Sequence, residues 1–234
     1  MKIAVMQPYI FPYIGYFQLV RAVDKFIFYD DVNFIKQGWI NRNRILSNGE
    51  DLLFTIPLDN ASSFKLINET LINDKLFPKW KQKFIRTIEQ NYKKAPYYNE
   101  VSALVFDIFR LETNSISEIA INSVVRVSAY LQLNTEFAIS SKEYNNSSLD
   151  REARLIDLCQ IENASHYINP IGGKGLYTKD VFAENGIELS FINSLYIKYN
   201  QFNEDFVPWL SIIDVLMFNS IDEVKAMLDN FELI

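Results

Sequence analysis

Apolar positions along this chain switch repeatedly between strand-like runs and helical spacing. Residues 2–6, KIAVM, form a short apolar run of the length of a buried strand. After a loop, GYFQLVRAVDK repeats apolar residues at Phe17, Val20 and Val23, widened by Leu19 and Ala22, which is helical spacing. FIFYDD then reads as a second buried strand ending in two carboxylates. Strand, loop, helix and strand within about thirty residues is a βαβ unit, the element from which parallel sheets are built.

The middle of the chain reads differently. Residues 52–57, LLFTIP, and 65–72, KLINETLI, predict a hairpin or two sheet-edge strands. From Pro78 to about Leu133 the spacing is helical. WKQKFIRTIEQNY puts Trp80, Phe84, Ile88 and Tyr92 on one face, and SISEIAINSVVRVSAYL opens on Ser115 with Glu118 in capping-box spacing. The second half alternates again. TEFAIS reads as strand, LDREARLIDLCQIENA as helix, HYINP as strand, GGKGLYTKDVFAENG as a loop and a helix closed by Gly186, and IELSFI as strand. Helices follow in PWLSIIDVLMFN and IDEVKAMLDNF. No internal repeat, low-complexity stretch or linker interrupts the pattern. The expectation is one α/β domain over residues 1–234, a Rossmann-like, mainly parallel sheet with helices on both faces. A helical insert or cap is expected at about 74–133.

Composition narrows the function classes. The formal net charge of −6 argues against a nonspecific nucleic-acid binder. The chain has 1 Cys and 1 His, which removes an intramolecular disulfide and the usual zinc ligand sets, so no metal site is predicted. Cys159 lies in the amphipathic segment RLIDLCQIE and reads as core rather than nucleophile; His166 lies inside a short predicted strand and reads as structural. MKIAVMQPYIFP is too short and too interrupted by Gln and Pro for a signal peptide, and no apolar run has the length of a membrane span. A cytoplasmic protein is expected.

Three features fall at predicted strand ends, where open α/β sheets bind ligands. The first is MQPYIFPYIGYF at residues 6–17. Gln7 can donate and accept there, Tyr9, Tyr13 and Tyr16 bring rings and hydroxyls, and Gly15 near the helix start allows close approach. Such a segment either plugs the core or walls a pocket, and the two roles are compatible. The wall reading expects Gln7 and at least one tyrosine hydroxyl to face substrate.

The second is YDDVNFIKQGWINRNRI at residues 29–45. Paired carboxylates such as Asp30 and Asp31 can raise one pKa and yield a general base. Lys36, Arg42 and Arg44, with Trp39 and Asn41 between them, offer planar donors, an amide and a stacking ring for a phosphate with an attached base or sugar. A solvated loop is the bland alternative. The third is NPIGGKGLY at residues 169–177, where Gly172, Gly173, Lys174 and Tyr177 precede a helix and suit an anion; it is not a Walker A loop. Gln201, Ser211 and Asp214 add a further polar group, with Ser211 equally suited to cap its helix.

The blocks MQPYIFPYIGYFQLVRAVDKFIFYDDV, IKQGWINRNRI, YINPIGGKGLY and FVPWLSIIDVLMFN, in this order, resemble the WbqC-like protein family over nearly the whole chain. The resemblance implies a place in bacterial O-antigen (lipopolysaccharide) or other surface-polysaccharide biosynthesis. It implies N-acyl or aminoacyl transfer to a nucleotide-linked amino sugar. The donor would be an acyl thioester on coenzyme A or on an acyl carrier protein, with no tightly bound cofactor. On that reading Lys36, Arg42, Arg44 and Lys174 hold phosphates and Asp30 or Asp31 deprotonates the amine. Backbone N–H groups at Gly172 and Gly173 serve either phosphate or oxyanion. Two alternatives stand beside it. One is an ATP-dependent amino-acid ligase or nucleotidyltransferase with Mg²⁺ at Asp30 and Asp31. The other is a noncatalytic subunit that presents a nucleotide sugar. The opening is also similar to that of the adenylyl- and cytidylyl-transferase superfamily, but FPYIGY stands where those enzymes carry a histidine-rich turn.

Overall fold

The structure is a computed structural model that describes residues 1–234. The opening βαβ unit forms as its spacing predicts: β1 (Lys2–Met6), α1 (Ile14–Ala22) and β2 (Lys25–Phe28), with the strands parallel and Met6 opposite Phe28. A hairpin follows, β3 (Arg42–Ser47) and β4 (Glu50–Thr55), and then a two-residue pair, β5 (Leu58–Asp59) and β6 (Leu71–Ile72). Three helices fill the predicted helical stretch: α2 (Phe77–Tyr92), α3 (Tyr98–Ile108) and α4 (Ile116–Tyr130). Ser115 caps α4 by accepting from the Glu118 N–H at 3.4 Å. The remainder alternates: β7 (Glu136–Ala138), α5 (Arg151–Ile161), β8 (His166–Pro170), α6 (Lys179–Glu184) and β9 (Glu188–Ser194). The chain ends with α7 (Ile212–Phe218), α8 (Ile221–Leu228) and β10 (Phe231–Leu233).

The central sheet has the order β10-β9-β8-β1-β2-β7, and every pairing is parallel except β10 with β9. The chain therefore runs outward from β1 through β2 to β7, then returns to the other side of β1 and runs outward again. The reversal falls between β1 and β8, and a crevice opens beyond the carboxyl ends of those strands.

Side-chain alternation explains why these strands read as unbroken apolar runs. Ala4, Phe26, Phe28 and Ile168 pack into a core shared with α1, α4 and α7, while Ile3, Val5, Ile27 and Tyr167 pack on the other face against α5 and α6. A parallel sheet covered on both faces has no polar side to show.

Two local readings need correction. The hairpin is 42–47 with 50–55, not 52–57 with 65–72, so the NRNR segment lies on a strand rather than in a loop. Its turn is Asn48-Gly49, with φ of +52° and +83°, the left-handed pair that a two-residue hairpin turn requires. Strand β10 was not expected, because three residues at a sheet edge carry too little pattern.

Candidate functional site

A cleft of about 830 Å³ lies beyond the carboxyl ends of β1, β2 and β8, at the point where the strand order reverses. Gln7 follows β1, Tyr29 and Asp31 follow β2, and Asn169 stands near the end of β8; all four line it. Arg151 and Arg154 enter from the first turn of α5.

The cleft floor carries an ion pair. Arg154 Nη2 lies 2.5 Å from the Asp31 carboxylate, and the two side chains are only 4% and 6% exposed. The Arg154 Nε donates to Asn146 Oδ1 at 2.9 Å, and its guanidinium lies over the Tyr29 ring at 4.5 Å. The Ser141 hydroxyl donates to the same carboxylate. Both Asp31 oxygens and the Nε and Nη2 of Arg154 thus have partners, which is the condition under which burial of a charge pair is tolerated. Burial pushes the Tyr29 phenol up, and the nearby Arg154 charge opposes that shift. Asn169 is buried and donates to the Tyr167 hydroxyl at 3.0 Å. A Cβ at Gly173 would fall 2.6 Å from Asn169 Oδ1, so glycine there lets the loop after β8 close on Asn169.

The two aspartates part company. Backbone alternation turns Asp30 away from the cleft and under α4, where it accepts from Ser140 Oγ at 2.6 Å and Ser117 Oγ at 3.2 Å. Burial raises its pKa, and the two serine bonds oppose the rise. A raised carboxylate contributes stability that is present below the ordinary aspartate range and lost as pH rises through the folded value. Asp30→Asn should therefore cost no more than about 1.5 kcal/mol at neutral pH. Its stability relative to wild type should fall as the solution is acidified. Denaturant titrations of both proteins across the acid range check this, and a deficit that grows with rising pH would count against it.

The opening stretch divides its residues between plug and wall. Ile10, Phe11 and Tyr16 are buried, and the Tyr16 hydroxyl donates to the Gln7 carbonyl at 2.9 Å, so that hydroxyl does not face the cleft. Phe11 holds φ +41°, and its carbonyl accepts from Asn43 Nδ2 and Ser211 Oγ, each at 2.8 Å. Tyr9 and Tyr13 instead face a second cavity of about 220 Å³, with Pro12, Trp39, Asn43 and Trp209. Gly15 serves packing rather than ligand approach: a Cβ there would lie 2.4 Å from the Tyr13 ring.

Other predicted site residues are structural or lie apart from the cleft. Asn41 donates to the Ile56 carbonyl at 2.8 Å. Arg42 and Arg44 stack over Trp39 beside the second cavity, at 5.6 and 5.3 Å from the ring centroid. Lys36, Gly172 and Lys174 are exposed, and none of them lines either cavity; Tyr177, a few residues on, does reach the cleft. Ser211 and Asp214 are fully buried and line neither cavity. Ser211 caps α7 by accepting from the Ile213 N–H at 3.2 Å. Asp214 accepts from Tyr92, Tyr199 and Gln201 at 2.7, 2.6 and 2.7 Å. Burial pushes the Cys159 thiol up to about 12, which suits a core residue. His166 begins β8, at the strand end opposite the cleft, and its Nε2 pairs with Ser190 Oγ at 2.9 Å.

Sequence reading did not single out Tyr29, Asn33, Arg151, Arg154, Asn169 or Trp209. One signal was available for Arg154. It occupies the buried face of α5 with Leu155 and Leu158, a place where arginine needs a partner.

Fold and cleft together define an α/β protein with an open cleft at its topological switch point. The chain belongs to the WbqC-like protein family, whose model matches residues 7–226. It is 31% identical over 221 residues to the uncharacterized protein Rv1507c of Mycobacterium tuberculosis, covering 93% of each chain. No solved structure matches. No helix is long and apolar enough to cross a membrane, and no group of three or more His, Cys, Asp or Glu is placed to hold a metal ion.

Proposed function

We propose that the protein transfers an acyl or aminoacyl group to the nitrogen of a nucleotide-linked amino sugar in O-antigen or related surface-polysaccharide biosynthesis. The observation that carries this reading is the switch-point cleft. It offers an exposed cation, Arg151, at its mouth and a fixed carboxylate, Asp31, at its floor. Arg151 supplies charge for a diphosphate, and Lys174 on the nearby loop can add to it. Gln7 and Asn33 supply amides for sugar hydroxyls. Asp31 accepts a hydrogen bond from the sugar amine and orients its lone pair toward a thioester carbonyl. The N–C bond forms as the C–S bond breaks, and the proton lost from nitrogen leaves with the thiol.

The carboxylates fit magnesium less well. Asp30 is turned away from the cleft under two serine hydroxyls, and the Arg154 guanidinium offsets the charge of Asp31, so the pair does not offer a divalent cation the negative charge it needs. The same engagement favours a second reading, a noncatalytic subunit that binds and presents the nucleotide sugar. A thermal-shift panel of nucleotide sugars, coenzyme A thioesters and ATP tests binding, because a ligand of the folded state raises the melting temperature by mass action. Mass spectrometry of the sugar after incubation with both substrates tests turnover. The transferase reading expects stabilisation by a nucleotide sugar and a mass gain of one acyl group. Binding without turnover selects the presenting subunit. Stabilisation that requires ATP with magnesium would overturn both.

A further inference from the structure

We infer that the second cavity is a separate binding site for a pyranose ring carrying an anionic substituent. This site is distinct from the switch-point cleft, and the inference holds whatever reaction that cleft supports. Its walls are Tyr9, Tyr13, Trp39 and Trp209, with Pro12 and Asn43 between them, around about 220 Å³.

Backbone strain gathers at this cavity. Trp209 has φ +60° and Phe11, beside Pro12, has φ +41°, a conformation that bulky residues rarely adopt. Strain of this kind persists where the surroundings enforce it, and it concentrates at ligand sites. Phe11 is held by hydrogen bonds from Asn43, Ser211 and its own N–H to Ser123 Oγ at 3.0 Å. Trp209 has less local cover: the residue is 60% exposed, and its ring meets Tyr13 edge-on with centroids 6.2 Å apart. Trp209 does not stand alone: with Tyr9, Tyr13 and Trp39 it forms a cluster of aromatic rings around one cavity, the kind of lining that small-molecule sites use.

The polar groups say what that partner is. The phenols of Tyr9 and Tyr13 are raised by burial, and that of Tyr9, pushed up to about 12, also by the neighbouring Tyr13; neither accepts a compensating hydrogen bond. Both residues line the cavity, and hydroxyls without a partner in the chain can bond a ligand rich in hydroxyls. Asn43 spends its amide on the Ile10 and Phe11 carbonyls and its oxygen on the Arg44 N–H, so it shapes the floor only. The guanidiniums of Arg42 and Arg44 already cover Trp39, which disfavours a cationic ligand and favours an anionic one. Arg44 has one weak partner, Asp51 at 3.5 Å, and can turn its remaining donors to a phosphate or carboxylate. The inclined meeting of Tyr13 and Trp209, at 63°, leaves no parallel slot for a nucleobase, whereas a pyranose needs one flat face and hydroxyl partners at its edge.

Trp39 and Trp209 give the test a direct readout, because the remaining one of the 3 tryptophans, Trp80, is stacked on Phe77 and Phe84. Tryptophan fluorescence should be followed while hexose phosphates and hexuronates are added, with inorganic phosphate, neutral hexose and AMP as comparisons. The expected result is a saturable change with a hexose phosphate or hexuronate that inorganic phosphate does not give. Calorimetry should then show roughly tenfold weaker binding in Trp209→Ala and in Tyr9→Phe, with unchanged melting temperatures. Absence of a saturable response would overturn the proposal. So would hexose-phosphate binding that survives Trp209→Ala intact, or a Trp209-dependent response to AMP as strong as that to the sugar.

Discussion

Arg154→Ala should destabilise the protein by about 3–5 kcal/mol, the range for removing one partner of a buried ion pair. The loss is not that of an attraction alone. Asp31, now 6% exposed, would have its charge unmatched, Asn146 would lose the donor to its oxygen, and Tyr29 the cation over its ring. Arg154→Lys should recover little, because an ammonium cannot bond Asp31 and Asn146 in the same plane. The double change Asp31→Asn with Arg154→Met should be markedly less harmful than Arg154→Ala, since it removes both charges and keeps the volume. Guanidinium unfolding of the three variants provides the check. A cost below about 1 kcal/mol for Arg154→Ala, the range of exposed pairs, would mean that water reaches the pair freely.

That arginine also marks where sequence reading reached its limit. The βαβ opening, the alternating second half and the position of the cleft at strand ends were legible because each rests on periodicity, which is local. The hairpin at 42–55 was legible too, since Asn48-Gly49 is a strong turn signal. It was overlooked because charged residues at Arg42 and Arg44 disguised a strand whose alternate positions, Asn43 and Ile45, are buried. The site divided along similar lines. Gln7, Asp31 and Tyr177 stand at the tips of elements and share one cleft, whereas Arg154 and Asn169 matter only because a crossover brings α5 and β8 beside β1. Nothing within ten residues of Arg154 names Asp31 as its partner. Trp209 is a similar case: its left-handed backbone is invisible in the string VPWLS, and its place opposite Tyr13 depends on the bridge between Tyr13 and Ser211.

Just beyond that bridge, in the first turn of α7, Asp214 is the other position of large effect. Asp214→Ala should cost about 3–5 kcal/mol. It would leave two buried phenols without an acceptor, each worth about 1–3 kcal/mol and not fully additive, and would strip the Gln201 amide of one of its two acceptors. The network reaches across the fold: the Tyr92 hydroxyl that donates to Asp214 also accepts from the Leu46 N–H at 2.7 Å, so one carboxylate ties α2 and β3 to α7. Gln201 adds the 201–207 loop through its bonds with Val207 at 2.8 and 3.1 Å. Asp214→Asn should fall between wild type and alanine, because its amide keeps the volume but offers one acceptor where the carboxylate offers two. Burial raises the Asp214 pKa, and the bonds from Tyr199, Tyr92 and Gln201 work against it. Its contribution is therefore present below the ordinary aspartate range and lost as pH rises through the folded value, so the gap between wild type and Asp214→Asn should narrow with rising pH. The effect should also travel to the aromatic cavity. Ser211, at the start of the same helix, holds the Phe11 carbonyl that keeps Tyr9 and Tyr13 on their wall. A chemical-unfolding series across pH tests the stability claim, and the tryptophan spectrum of folded Asp214→Asn tests its reach. An unchanged spectrum with a small, pH-independent cost would reduce Asp214 to a local contact.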